Sequence, residues 1–382
     1  MSLTSIYIHV PFCLSKCNYC GFNSYAGLAH LHESYTEALR REMALVGEGR
    51  AHPEVATVYL GGGTPTSLSL DLLAGMLEAC REHFVLLEDV EISIEANPGT
   101  VDAGYLSALR GLRINRLSLG AQSFADEMLS LLGRVHTAAE TRETYRLARQ
   151  AGFENVNLDL IYSLPTQTLG EWQDDLLEAI ALRPEHLSLY CLSIEESTPL
   201  ADMISTGKVP NPDADLAAAM YSWAEESLDT AGYEHYEISN WARAGYECQH
   251  NITYWQNRPY LGLGAGAHSF YDSVRYHNVL QPDEYVRLIL AGQSSVAGRE
   301  QIDCTLEMSE TMIMRLRLCE GVLFREFEER FYRSLVTVYG DRIRELVDQG
   351  LLDVNGRGVR LTTRGRLLGN EVFERFLPVL ER

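Results

Sequence analysis

The chain has 382 residues, 46% hydrophobic and 22% charged, the balance of a globular protein with material for two or three domains. Its formal charge of −21 argues against a nucleic-acid partner, which would need a basic face. No apolar run approaches the roughly 20 residues of a membrane span, and Met1-Ser2-Leu3-Thr4-Ser5 lacks the basic and apolar regions of a secretory signal, so a cytoplasmic location is expected.

Short apolar runs at 6–10, 55–60, 90–95, 114–119, 155–161 and 186–192 predict strands. Amphipathic segments lie between them. Tyr35, Leu39, Met43 and Val46 recur at three- and four-residue steps, and further helices are expected over 72–84, 105–112, 138–151 and 172–182. Strand–helix alternation with short links builds a parallel sheet from right-handed units, here an α/β partial (β/α)6 barrel over 1–212 with function at the strands' C-terminal ends. A small α+β extension follows over 213–297, with a helix to Leu228, a strand at 235–238, and the small-residue run Gly262-Leu263-Gly264-Ala265-Gly266-Ala267-His268. The last stretch, 298–382, reads as helix, helix, hairpin, helix, a winged-helix-like domain whose turn is Asn355-Gly356. From residue 296 onward there are 14 basic and 15 acidic residues, against 18 and 38 before it, so the C-terminal surface differs in kind. Arg357, Arg360, Arg364 and Arg366 would suit a DNA-binding wing, but the near-neutral balance favours a docking or lid role.

Eight cysteines are present. Cys80, Cys191, Cys248, Cys304 and Cys319 are scattered singly and are expected to be buried core thiols. Cys13-x3-Cys17-x2-Cys20 is different. Three thiolates so close wrap a soft metal centre, and on a four-iron cluster they leave one iron open to a ligand. A zinc knot would need a fourth ligand, for which only His9 is near. Gly61-Gly62-Gly63-Thr64 follows the second predicted strand and frees the backbone for close approach to a ligand.

The triad resembles that of the radical S-adenosylmethionine (SAM) superfamily, and Tyr7-Ile8-His9-Val10-Pro11-Phe12-Cys13 resembles the group of oxygen-independent coproporphyrinogen oxidases (HemN) and their HemW relatives. The resemblance implies a radical SAM barrel and a [4Fe-4S] cluster on Cys13, Cys17 and Cys20. The cluster's open iron would hold SAM and reductively cleave it to a 5′-deoxyadenosyl radical. It further implies SAM contacts from Tyr7, Tyr19, Gly62, Gly63, Thr64, Glu95, Gln122, Arg134 and Asp159. Carboxylates suit ribose hydroxyls and arginine suits a carboxylate.

Two departures separate the relatives. HemN-type oxidases carry a fourth cysteine two residues past the third, where this chain has Phe22. His250-Asn251-Ile252-Thr253-Tyr254-Trp255 resembles the HNxxYW motif of HemW-type heme chaperones, implying a heme site at His250, Asn251, Tyr254 and Trp255. Imidazole is an axial iron ligand, and the aromatic rings offer flat apolar faces. The plain alternative is a strand whose histidine and aromatics are core. His268 is the rival iron ligand. The expected function is transfer of heme to an apo-hemoprotein, with a one-electron reductant protein as a further partner. The alternative is oxidative decarboxylation of coproporphyrinogen III or another radical reaction on a tetrapyrrole.

Overall fold

The computed structural model describes residues 3–378. The apolar alternation builds six parallel strands, β1 (Thr4–Val10), β2 (Glu54–Gly62), β3 (Val85–Ala96), β4 (Arg116–Gln122), β5 (Val156–Tyr162) and β6 (His186–Cys191). The main helices between them are α1 (His32–Gly49), α2 (Leu70–His83), α3 (Ala103–Gly111), α4 (Ala138–Gln150) and α5 (Leu169–Leu182). Because strand side chains alternate in direction, Ile6, Ile8, Val58, Leu60, Ile92, Ile94, Leu117, Leu119, Leu158, Leu160, Leu187 and Leu189 share one core with the helices. Their neighbours in sequence face the concave side and are polar. Parallel register sets these in layers: Tyr7 pairs with Tyr59, Tyr59 with Ser93, Glu95 with Ser118, and Asp159 with Ser188.

After α6 (Ala214–Thr230), the extension adds to both edges of this sheet. Strands β7 (Glu234–Glu237) and β8 (Asn240–Ala242) join antiparallel beyond β6. The chain then passes through the short helix α7 (Gln249–Trp255) to β9 (Tyr260–Leu263), which pairs parallel with β1. Strands β10 (His268–Tyr271), β11 (Val274–Asn278) and β12 (Val296–Gln301) continue outward, so the twelve-stranded order is β12-β11-β10-β9-β1-β2-β3-β4-β5-β6-β8-β7.

The C-terminal part has its own core, from Met308 to Phe376, built on α8 (Cys304–Arg315), α9 (Phe324–Phe331) and α10 (Leu335–Asp348). A three-stranded antiparallel sheet of β13 (Val322–Leu323), β14 (Leu352–Val354) and β15 (Gly358–Leu361) completes the winged-helix-like arrangement. The Asn355 side chain accepts from the backbone N–H of Arg357 and Gly358, making the hairpin loop three residues rather than two. All four wing arginines are spent within the protein: Arg357 on Glu320, Arg360 on Asp353, Arg366 on Glu225, and Arg364 on the Gln349 carbonyl.

The expectation of buried scattered thiols holds only for Cys80 and Cys248. Cys191 is exposed where β6 runs out beyond its apolar residues, Cys304 is exposed at the first turn of α8, and Cys319 is half-buried. Among the described residues no helix is long and apolar enough to cross a membrane.

Candidate cofactor site

The six barrel strands end around a cavity of about 420 Å³, and the three clustered cysteines lie on its rim. Cys13 ends a two-residue strand, Phe12–Cys13, paired to Tyr25–Ala26, and the loop carrying Cys17 and Cys20 is pinned at Asn18. The Asn18 N–H donates to the Leu132 carbonyl at 2.9 Å and its amide to Leu131 at 2.9 Å, while its own carbonyl accepts from Leu200. Each sulfur has a polar neighbour. Thr64 Oγ1 donates to Cys13 Sγ at 3.6 Å, Arg134 Nη1 to Cys17 Sγ at 3.4 Å, and Ser24 Oγ lies 3.8 Å from Cys20 Sγ. Among the described residues the thiols flank the opening without converging on one ion position.

Asn97 joins two of these bonds. Its amide donates to Thr64 Oγ1 at 2.8 Å and its Oδ1 accepts from Arg134 Nη2 at 2.6 Å, so Cys13 and Cys17 are linked through Thr64, Asn97 and Arg134. Sequence reasoning passed over Asn97, although it stands in the same Glu95-Ala96-Asn97-Pro98 run as Glu95.

The cavity brings together Tyr19, Gly62, Gly63, Thr64, Glu95, Gln122, Arg134 and Asp159. Glu95 Oε1 accepts from the Tyr59 hydroxyl at 2.8 Å and Oε2 from the Gly62 N–H at 3.2 Å. Burial outweighs these bonds and pushes the carboxyl up to about 7. Asp159 accepts from Ser118 Oγ at 3.1 Å and Asn157 Nδ2 at 2.8 Å, and burial raises it too. Gln122 has a left-handed backbone, φ 66°, where β4 loses register with β5, a strained position of the kind that gathers at ligand sites. Gln122 Oε1 and Arg134 Nε are buried with no partner among the described residues, polar capacity for a bound group. A carboxylate-lined cavity beside three thiols, with unspent donor and acceptor atoms, fits a cluster with SAM on it.

Two of the expected residues stand differently from the rest. Tyr7 is not part of the cavity lining; level with Tyr59 in the β1–β2 register, it has its hydroxyl on His9 Nδ1 at 2.9 Å and its ring against Tyr59. Gly62 and Gly63 line the cavity, but their missing side chains make room for the protein itself. A Cβ on Gly62 would lie 2.3 Å from the His9 ring, and one on Gly63 would lie 2.7 Å from the Phe12 carbonyl. Sequence reasoning also missed Tyr59, Ser118, Tyr190 and Cys191 on the wall. Phe22, where the fourth cysteine would stand, lines the mouth and is 70% exposed.

The HNxxYW segment lies at the other end of the barrel, and it is a helix rather than a strand. Glu91 of β3 caps it, accepting from the Gln249 N–H at 3.0 Å and the His250 N–H at 3.2 Å. His250 is 1% exposed, with Nδ1 on Thr57 Oγ1 at 2.7 Å and Nε2 on Tyr254 Oη at 2.9 Å. Burial, helped by Arg116, drives its pKa down to about 3, so the ring is neutral. Tyr254 meets Tyr260 edge-on at 4.6 Å, and Arg317 covers a face of Trp255 at 4.3 Å. The four residues therefore pack as a plug in the barrel's N-terminal end. His268 is exposed, stacked on His277 at 5.1 Å, and no hydrogen bond engages either ring among the described residues.

A parallel-strand partial barrel with a three-thiolate mouth defines a radical SAM protein. The model of the radical SAM superfamily matches residues 7–179, and that of the HemN C-terminal domain matches residues 305–368. The chain is 36% identical to the heme chaperone HemW of Bacillus subtilis, over 99% of this chain and all of that one. It is 36% identical to heme chaperone HemW of Escherichia coli, over 98% of each chain. The mouse mitochondrial radical S-adenosyl methionine domain-containing protein 1 is 33% identical over 99% of this chain and 88% of its own. The Escherichia coli coproporphyrinogen III oxidase HemN shares the fold, with TM-score 0.85 and 24% identity over 98% of this chain and 90% of that one. The chain belongs to the HemW family of radical SAM proteins. Membership implies a [4Fe-4S] cluster and SAM.

Proposed function

We propose that this protein is a cytoplasmic heme chaperone that binds heme and passes it to an apo-hemoprotein. The observation that carries the reading is near full-length identity of 36–37% to proteins named heme chaperone HemW, in a chain with Phe22 at the oxidase's fourth-cysteine position. Cys13, Cys17 and Cys20 would hold the cluster, and Gln122, Arg134, Glu95 and Asp159 would hold SAM against it. When bound and reduced by a one-electron donor protein, these groups supply reductive cleavage chemistry. The chain's own part is to bond the sulfurs and keep the cavity's carboxylates in place. His250 is the proposed iron ligand. A neutral imidazole has the lone pair that ligation requires, and reaching it means parting the ring from the Thr57 or the Tyr254 hydroxyl.

Hemin titration of the cluster-loaded protein, followed in the Soret band, tests this. Wild type should bind about one heme per chain; His250→Ala should weaken binding at least about tenfold, while His268→Ala should not. A wild-type affinity in His250→Ala with loss in His268→Ala would move the site to the His268–His277 pair. Conversion of coproporphyrinogen III at an enzymatic rate would overturn the chaperone reading.

A further inference from the structure

His250 and the cofactor cavity are far apart in sequence but share a wall. The imidazole stacks on Tyr59, with ring centroids 5.1 Å apart and 25° between the planes. The Tyr59 hydroxyl donates to Glu95 Oε1 at 2.8 Å, the only side-chain hydrogen bond Tyr59 makes among the described residues. Tyr7 flanks both rings, 6.3 Å from Tyr59 and 6.4 Å from His250. Thr57 and Tyr254 hold the imidazole from its two nitrogens. Nothing in this chain of contacts is loose: a ring fixed at both ends backs a second ring, whose hydroxyl fixes a carboxylate on the cavity wall.

We propose that His250 is a positioning residue for the SAM cavity, setting the Glu95 carboxylate through Tyr59. If the same ring ligates heme iron, as the function proposed above holds, heme binding and SAM binding oppose each other through it. Ligation frees a nitrogen by pulling the ring from Thr57 or Tyr254, and Tyr59 then loses its support. Linkage is reciprocal, so SAM must weaken heme binding by the factor with which heme weakens SAM binding. The coupling is negative.

The experiment is calorimetric titration of SAM into the anaerobically reconstituted full chain, with iron content and thermal melting recorded for each variant. Tyr59→Phe keeps the ring and removes the hydroxyl; it should weaken SAM binding about five- to tenfold, within the range of one ordinary hydrogen bond. His250→Ala should do the same, and the double variant should be no weaker than Tyr59→Phe, because both cut one path. His250→Phe restores a stacked ring without an iron-binding nitrogen. It should bind SAM within about twofold of wild type even though it melts lower, whereas a merely structural role would make affinity follow melting. Unchanged SAM affinity in both Tyr59→Phe and His250→Ala overturns the proposal, as does additive loss in the double variant. Hemin titrated with and without saturating SAM reads that opposition. Equal heme affinity in both conditions ends the coupling and leaves the chaperone reading standing. Absence of heme binding ends that reading and leaves the SAM titrations to decide the positioning role.

Discussion

At His250 the unusual feature is a histidine kept neutral by its surroundings. Its folded pKa is about 3, against 6.5 when unperturbed. The folded value is the depressed one, so below pH 6.5 the unfolded chain takes up the proton and the folded chain does not. Wild type then loses stability by up to about 1.4 kcal/mol per pH unit from this group alone. His250→Phe has no such proton to exclude. The stability advantage of wild type over His250→Phe should therefore be largest above about pH 7 and narrow as pH falls toward about 5. Urea midpoints of the two proteins across that range measure it, and a gap that stays constant would mean the ring is not buried neutral. The cysteine triad, by contrast, was legible from spacing alone, since three thiols within eight residues need no tertiary context to lie together. Asn97 and Tyr59 were not, because an amide in a turn and a tyrosine in a strand have ordinary readings until their partners are known.

At the level of elements, the glycine turn after β2 and helix α7 both differ from their sequence readings for a physical reason. Gly62 was read as clearance for a ligand, but its φ of 109° and the His9 ring against it make it a packing requirement of the β1–β2 junction. Gly62→Ala should thus cost stability, by about 2–3 kcal/mol from overpacking and backbone strain, even before cofactors are added. Thermal melting of the cofactor-free chain checks this; an unshifted transition would return the glycine to a ligand-only role. For α7 the seven residues carry no capping residue of their own, and the Cys248 thiol at the N-cap bonds Glu91 rather than capping the helix. The cap comes from Glu91 in β3, so the helix had no local signal to read.

For the whole molecule, the C-terminal core is separate from the barrel core, and ion pairs and aromatic contacts join them. Arg366 reaches Glu225 of α6 at 2.7 Å with both side chains under a fifth exposed, and Glu225 also meets His235. Arg330 donates to the carbonyls of Gln256 and Asn257 just past α7, and Arg317 covers Trp255. Breaking the most shielded pair should loosen the join. Arg366→Ala should lower stability by about 2 kcal/mol, whereas Arg344→Ala, at an exposed pair with Asp341, should stay within about 0.5 kcal/mol. Urea unfolding followed by circular dichroism compares them; equal effects would show that the Arg366 pair does not hold the domains together. These same contacts tie the end of the HNxxYW helix to the C-terminal domain.

The sequence by itself determined the α/β alternation, the grouping of Cys13, Cys17 and Cys20 and most of the cavity wall. These rest on local facts: strand period, cysteine spacing, and polar residues placed at strand ends, where a parallel barrel gathers them. What only the tertiary structure decided was relative position. Strands from the extension joined both edges of the barrel sheet, Tyr7 fell behind Tyr59 rather than on the cavity lining, and the HNxxYW segment closed the opposite end with its imidazole linked to Glu95 through Tyr59. Residues 59 and 250 meet because β9 returns parallel to β1 and seats α7 in the barrel's end, a long-range pairing set by burial across the whole sheet that no local window of the sequence encodes.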